Sequence, residues 1–183
     1  MRISFPALPA AHATFLALLA ASATTPASAA PLAAQEQAAT STAGSAPAAT
    51  LVRRTLSLAG ARQAVEAAKD EAARNGWRIA VAVVDAAGEL VALEKTDGAI
   101  GISPAVAQGK ARTAALLQAP SKEFEDFVNG GKPSFLSTPG VTPLEGGVPI
   151  VVDGQVVGAV GVSGAHGAND SRVACAAAAA VGR

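Results

Sequence analysis

The side chains that could do chemistry in this sequence are few, and they form no familiar catalytic set. His166 is one of two histidines, and it stands alone in the stretch SGAHGAND. One histidine cannot supply the three or four ligands that a zinc site requires. It can provide one axial ligand to a haem iron, or it can be a solvated loop residue. The residue pattern leaves both interpretations open.

Basic residues offer a second set of candidates. Lys110, Arg112 and Thr113 lie in GKARTAA, on a predicted helix that is otherwise small and apolar. The two cations can meet ligand carboxylates, or they can point at water. Ser163 stands in GVSGA, which lacks the G-x-S-x-G order of a nucleophile elbow, so hydrolase chemistry is not supported.

Acidic residues show no catalytic pair. Asp85, Asp97 and Asp153 each adjoin a predicted turn, where aspartate commonly accepts hydrogen bonds from local amides. Cys175 is the single cysteine, so no intramolecular disulfide can form, and we expect it to be a small buried side chain among alanines. A reactive thiol is the alternative interpretation.

Composition limits the classes of function. The chain has 183 residues, of which 14 are Lys or Arg and 14 are Asp or Glu. A net charge of zero provides no positive field for nucleic acid. Tyrosine is absent and aromatic residues make up 3% of the chain, so platforms for stacking bases are absent as well.

The elements that must position these residues alternate along the chain. Ser57 is a good N-cap for a helix from Leu58 to Asn75, and a helix is predicted from Ser103, as N-cap, to Pro120. RIAVAVVD and ELVALEK predict a hairpin. The other predicted elements are a short helix capped by Ser121 and ending at Val128, a hairpin from GGVPIVV and QVVGAVGVSG, and a final alanine-rich helix capped by Asn169 or Asp170.

This order predicts a fold that contains both helices and strands (α/β in the broad sense, and α+β in class), with helices packed on a mostly antiparallel sheet. Asp153 and Gly154 favour a type I′ turn, and Pro149 suggests an edge strand. Gly158, Gly161 and Gly164 form GxxGxxG within a strand, which is not a dinucleotide fingerprint. They suit a bulge, or a close approach of another backbone or of a flat ligand.

The segment NGGKPSFLSTPGVTPLEGG has little pattern, apart from a short strand expected around Ser134 to Leu136. Unpatterned loops of this length are often functional, so we interpret it as a binding rim that includes Thr138. A tolerated surface loop is the alternative.

The N-terminal residues have the form of a targeting segment. Residues 1–30 contain an early arginine, an apolar stretch and an Ala-Ser-Ala end, which is typical of a cleaved secretory signal. Residues 31–50 are rich in Ala, Ser, Thr and Pro and predict a disordered linker. The folded domain is then 51–183, periplasmic or secreted, with no membrane span after signal cleavage.

Four stretches together resemble one known family. RIAVAVVDAAGELVALEKTDGA, GKARTAA, TPLEGGVPIVVDGQVVGAVGVSGA and the NDSRVACAAAA helix are similar to the GlcG/HbpS-like family, also called the haem-degrading or DUF336 domain. The resemblance covers roughly Leu51 to Val181. It implies a profilin-like layered fold, assembly into a homo-oligomer, and haem or another tetrapyrrole as ligand.

The resemblance also suggests binding residues. Where the family usually reads Arg-Met-Asp-Gly-Ala, this chain has Lys95, Thr96, Asp97, Gly98 and Ala99. Lys95 keeps the positive charge but loses the bidentate fork of arginine. The other matches are Lys110, Arg112, Thr113, Gly146, Gly147, Pro149, Asp153, Gly154, Gly158, Gly161, Ser163 and Gly164.

The expected function is that of an exported haem-binding protein, for sensing or sequestration of haem or iron. His166 is the candidate axial ligand on chemical grounds alone. The alternatives are an enzyme acting on a small metabolite or degrading haem, and an oligomeric scaffold without ligand. The alanine-rich last helix motivates the scaffold, because its apolar face must be covered by the sheet or by a neighbouring subunit.

Overall fold

The computed structural model of the chain describes residues 49–182. The predicted signal peptide, and all but the last two residues of the predicted linker, lie outside this range. Among the described residues, no helix has the length and apolar character needed to cross a membrane.

Residues 49–182 form four α-helices and four strands in the predicted order. The elements are α1 (Leu58–Arg74), β1 (Ala80–Asp85), β2 (Leu90–Lys95), α2 (Ser103–Leu117), α3 (Lys122–Asn129), a 3-10 helix (Pro133–Ser137), β3 (Gly147–Val152), β4 (Gln155–Ser163) and α4 (Gly167–Val181).

The strands form one antiparallel sheet in the order β2-β1-β4-β3. The predicted edge position of Pro149 is confirmed, because β3 is an outer strand of the sheet. Proline has no amide hydrogen, so it is best tolerated on an edge strand. Asp153 and Gly154 have φ angles of 48° and 74°, as a type I′ turn requires. Asp85 Oδ1 accepts hydrogen bonds from the amides of Ala87 and Glu89, at 2.8 and 2.9 Å.

Helices cover both faces of the sheet. Val81 and Val83 of β1 face α1 and α4, while Ala80, Ala82 and Val84 face α2. This alternation follows from the two-residue period of a strand. Because β1 is buried on both faces, its sequence is apolar at every position from Ala80 to Val84. The fold is therefore the predicted α+β layered sheet.

The packing between α2 and the sheet is unusually close. The α2 side of the core consists mainly of alanines, and Gly161 of β4 lies directly under the helix. A Cβ on Gly161 would stand 2.0 Å from the Ala107 carbonyl oxygen and 2.4 Å from the Ala111 amide nitrogen. Gly158 and Gly164 likewise admit the backbones of Val84 and Arg78. The predicted close approach of another backbone is therefore confirmed for these three glycines.

Two predicted helix starts and one predicted strand are corrected. Ser57 caps α1 as expected, but α2 begins at Ser103 itself, and its hydroxyl is buried without a hydrogen-bond partner. Ser121 precedes α3, yet its hydroxyl contacts the Leu144 carbonyl and the Gly147 amide instead of capping the helix. The strand expected around Ser134 to Leu136 is part of the 3-10 helix, which Pro133 begins.

The last helix differs from expectation in two further ways. It begins at Gly167, before the predicted caps Asn169 and Asp170, which therefore lie within its first turn. Cys175 is exposed, so its interpretation as a buried side chain is wrong: the buried positions of α4 lie on the opposite stripe. That stripe packs on α1 and on the sheet of the same chain. The apolar face of α4 therefore needs no neighbouring subunit to cover it.

Candidate functional site

The candidate site lies where β4 ends and α4 begins. His166 stands in the N-cap position of α4 with φ 68° and ψ 122°, a backbone conformation that few non-glycine residues adopt. Such a conformation costs on the order of 1–3 kcal/mol and persists only where the surroundings enforce it. The His166 side chain is exposed and makes no capping hydrogen bond. Its imidazole is therefore available to a ligand.

His166 lines two adjoining pockets of about 330 and 390 Å³. Both are lined by Ile100, Gly164 and His166, and together they are called the His166 pocket here. The first, the Lys110 half, is also lined by Val106, Lys110, Leu144, Glu145 and Asp170. The second, the Arg78 half, is also lined by Gly76, Trp77, Arg78, Gly98 and Asn169.

Two large aliphatic side chains of the pocket are exposed. Ile100 is 62% exposed and Leu144 is 43% exposed, although both are large aliphatic side chains. Exposed aliphatic residues beside a concave surface indicate a place where a ligand or another apolar surface is accommodated.

A buried ion pair forms the floor of the Lys110 half. Lys110 Nζ lies 2.8 Å from Asp170 Oδ2, and the two side chains are 4% and 3% exposed. Lys110 also donates a hydrogen bond to the Val162 carbonyl at 3.0 Å. Breaking such a pair leaves a buried charge without its counterion, so the two residues depend on each other.

Gly146 and Gly147 pack directly against this lysine. A Cβ on Gly146 would lie 2.9 Å from Lys110 Nζ, and a Cβ on Gly147 would lie 2.2 Å from the Lys110 carbonyl oxygen. Gly146 also has φ 121°, which favours glycine. These two predicted site residues therefore permit close packing around Lys110 and have no functional side chain of their own.

The two halves differ in charge. Glu145 lines the Lys110 half, and its Oε2 would lie 3.6 Å from a Cβ on Gly167, so negative charge lies beside the N-terminus of α4. Arg78 is exposed in the Arg78 half, next to Gly98, and forms no ion pair within residues 49–182.

Of the family-matched segment after β2, only Gly98 lines the pocket. Its φ of 77° allows the chain to turn, and the Arg78 side chain crosses the space where a Cβ would be. Lys95 is exposed at the end of the edge strand β2, and Asp97 is exposed in the following turn. Neither residue lines the His166 pocket.

The remaining predicted residues lie elsewhere. Arg112 donates hydrogen bonds to the Gly88 carbonyl at 3.1 Å and to Glu89 at 3.2 Å, so it holds the β1–β2 turn. The Thr113 hydroxyl is buried and accepts a hydrogen bond from the Thr142 amide at 2.8 Å. Thr138 is exposed in the loop after the 3-10 helix, outside the His166 pocket.

Sequence reasoning missed Ile100, Arg78 and the partnership of Asp170 with Lys110. Asp170 was visible only as a candidate helix cap. Its partner Lys110 is 60 residues away in the sequence, and no local pattern reports such a contact. The local sequence GAIGIS, in which Ile100 stands between glycine-containing turns, is the one signal that could have indicated an exposed isoleucine.

Comparison with known proteins extends the resemblance. The family model described as Haem degrading protein HbpS-like matches residues 56–179. Protein GlcG of Escherichia coli K12 is 48% identical over 99 residues, which are 54% of this chain and 74% of GlcG.

Solved structures share the fold. A double mutant of HbpS from Streptomyces reticuli has a TM-score of 0.69 at 32% identity, covering 85% of this chain and 99% of that one. The complex of PduOC with heme has a TM-score of 0.63 at 29% identity, covering 69% and 94%. The chain belongs to the HbpS-like family, also known as DUF336.

Proposed function

We propose that this protein binds haem, or a closely related tetrapyrrole, in the His166 pocket, with His166 as the axial ligand to the iron. The observation that carries the proposal is the exposed imidazole on the wall shared by two adjoining pockets. A neutral imidazole nitrogen is a common axial ligand of haem iron, and the iron would supply a bond to that nitrogen.

The residues around His166 suit the rest of a porphyrin. Ile100 presents an exposed aliphatic surface between the two halves, which matches the apolar face of the macrocycle. Arg78 offers a guanidinium for a propionate, a pairing in which arginine can form two parallel hydrogen bonds. Glu145, on the opposite side, disfavours a propionate in the Lys110 half.

The comparisons support the same ligand. The family description names haem degradation, and one structural neighbour is a complex with heme. The absorbance spectrum distinguishes binding from degradation, because oxidative degradation would abolish the porphyrin absorbance over time when a reductant and molecular oxygen are both supplied.

We further propose that the protein acts outside the cytoplasm, in haem or iron sensing or in haem sequestration. The support is the predicted secretory signal in residues 1–30. Assembly into a homo-oligomer remains a prediction from the family resemblance, and light scattering of the purified chain tests it.

An absorbance titration with hemin tests the binding proposal. We expect a shifted Soret band that saturates at a fixed stoichiometry. His166→Ala should lose or move the band. Arg78→Gln should weaken binding by about 5-fold, the effect of one exposed ion pair of ~1 kcal/mol.

Arg62→Gln is the matched control, because Arg62 is an exposed arginine on α1 that lines neither half of the pocket. It should bind hemin as the parent does. Absence of a saturable shift in the parent chain would refute haem binding. An unchanged spectrum in His166→Ala would refute the assignment of the axial ligand.

A further inference from the structure

The turn that carries His166 is held by hydrogen bonds on both sides of Ala165. The Ala165 amide donates to Asp170 Oδ1 at 2.8 Å. The Ala165 carbonyl, which belongs to the peptide bond with His166, accepts from Asn169 Nδ2 at 3.0 Å. Two consecutive side chains in the first turn of α4 therefore fix the peptide units that precede His166.

Lys110 extends this arrangement to the rest of the fold. It pairs with Asp170 Oδ2, leaving Asp170 Oδ1 for the Ala165 amide. Because Lys110 lies on α2 and also contacts the Val162 carbonyl of β4, it joins three elements at one point. The carboxylate that holds the turn is thereby itself held in place.

We propose that Lys110, Asn169 and Asp170 are positioning residues for His166, and this inference rests on the function proposed above. They form what is called the turn clamp here. The clamp holds His166 in its positive-φ conformation and so directs the imidazole to the wall of the pocket.

The physical reason is that the His166 backbone conformation is not self-sustaining. A histidine free of restraint would leave the region of positive φ. Rotation of that backbone would carry the imidazole away from the wall shared with Ile100. Removing groups that orient an iron or zinc ligand typically lowers metal affinity by about 10-fold to 100-fold without removing the ligand.

The test uses the full chain carrying His12→Gln, so that His166 is the only histidine. In this background Asn169→Ala, Asp170→Ala and Asp170→Asn are compared by hemin titration and by the NMR signals of the imidazole. We expect Asn169→Ala and Asp170→Ala to weaken hemin binding by about 10-fold and to shift the imidazole signals before hemin is added. Asp170→Asn keeps an oxygen acceptor for the Ala165 amide but leaves the buried Lys110 without its counterion, so it should restore only part of the affinity.

Glu71→Gln is the matched control. Glu71 is a buried carboxylate that forms ion pairs with Arg74 and with Arg172 of α4, and among residues 49–182 it forms no hydrogen bond or ion pair with a residue of the turn clamp. The imidazole signals should be the same in this variant as in the parent. Core methyl signals are recorded for every variant, because a partly unfolded variant would lose these signals as well as the native imidazole signals.

The outcomes separate the two proposals. Unchanged imidazole signals in both alanine variants would overturn the turn clamp, whether or not hemin binds. Shifted signals in a chain that binds no hemin would support the clamp and refute the proposed function. If Asp170→Ala does not fold, Asn169→Ala decides, because Asn169 is exposed and its removal leaves the buried ion pair intact.

Discussion

Replacing Gly161 by alanine tests how closely α2 is packed on the sheet. The added Cβ would stand 2.0 Å from the Ala107 carbonyl oxygen, 2.4 Å from the Ala111 nitrogen and 3.0 Å from the Ala111 Cα. All three atoms belong to the helix backbone, so no side-chain rotation can relieve the contact. With an ordinary contact near 3.4 Å, the helix must withdraw by about 1.4 Å at its closest point.

The magnitude follows from what that withdrawal does. The facing residues are mostly alanines, whose methyl groups are too short to fill a widened gap. Overpacking of a core usually costs 1–3 kcal/mol, and a clash with helix backbone belongs at the upper end. We expect Gly161→Ala to lower the free energy of unfolding by about 3 kcal/mol, or the Tm by roughly 10 °C.

Chemical denaturation monitored by circular dichroism measures this change. Gly101→Ala is the matched control, because a Cβ on Gly101 meets no atom within 4 Å and its φ is not positive. We expect the control to change the unfolding free energy by no more than about 0.5 kcal/mol. A loss for Gly161→Ala no larger than that of the control would refute the close packing of α2 on β4.

Three further predictions concern charge and exposure. Lys110→Met should lower the unfolding free energy by about 3–5 kcal/mol, because the Asp170 carboxylate stays buried without its counterion. The double variant Lys110→Met with Asp170→Asn should lose less unfolding free energy than the single variant. Equal losses for the two variants in denaturant melts would contradict this expectation. The hydrogen bond from Arg74 lowers the pKa of Glu71 below its ordinary value of 4.5. The ionised Glu71 therefore stabilises the folded protein above that pH, and this stabilisation is lost as the pH falls through the lowered pKa. The Tm of the parent should therefore approach that of Glu71→Gln on acidification, and a difference that is constant from about pH 7 to about pH 3 would count against it. Cys175 should react with a thiol reagent in the native protein, and reaction only after addition of denaturant would show that it is covered.

Local signals predicted most of the fold. The N-cap Ser57, the turn dipeptide Asp153-Gly154 and the edge proline Pro149 each act through their own backbone geometry, and the structure has all three as expected. Pairing of β1 with β4, on the other hand, joins strands more than 60 residues apart, and the sequence offered no register for it. The start of α4 at Gly167 was missed as well, because the N-cap position holds His166, whose side chain makes no capping hydrogen bond.

The candidate site was predicted only in part, for a related reason. His166 and Lys110 could be selected by residue type, and both line the His166 pocket. What each of them does depends on partners that only the fold supplies. Lys110 was a candidate partner for ligand carboxylates, but it forms an ion pair with Asp170. Arg78 lies in no recognisable motif, yet it lines the His166 pocket.

A crystal structure of the protein grown with hemin is the most direct test of haem binding at His166. We expect a porphyrin against Ile100, with its iron bonded to the His166 imidazole and a propionate directed toward Arg78. A porphyrin bound elsewhere on the chain, or one whose iron is bonded to another residue, would contradict it.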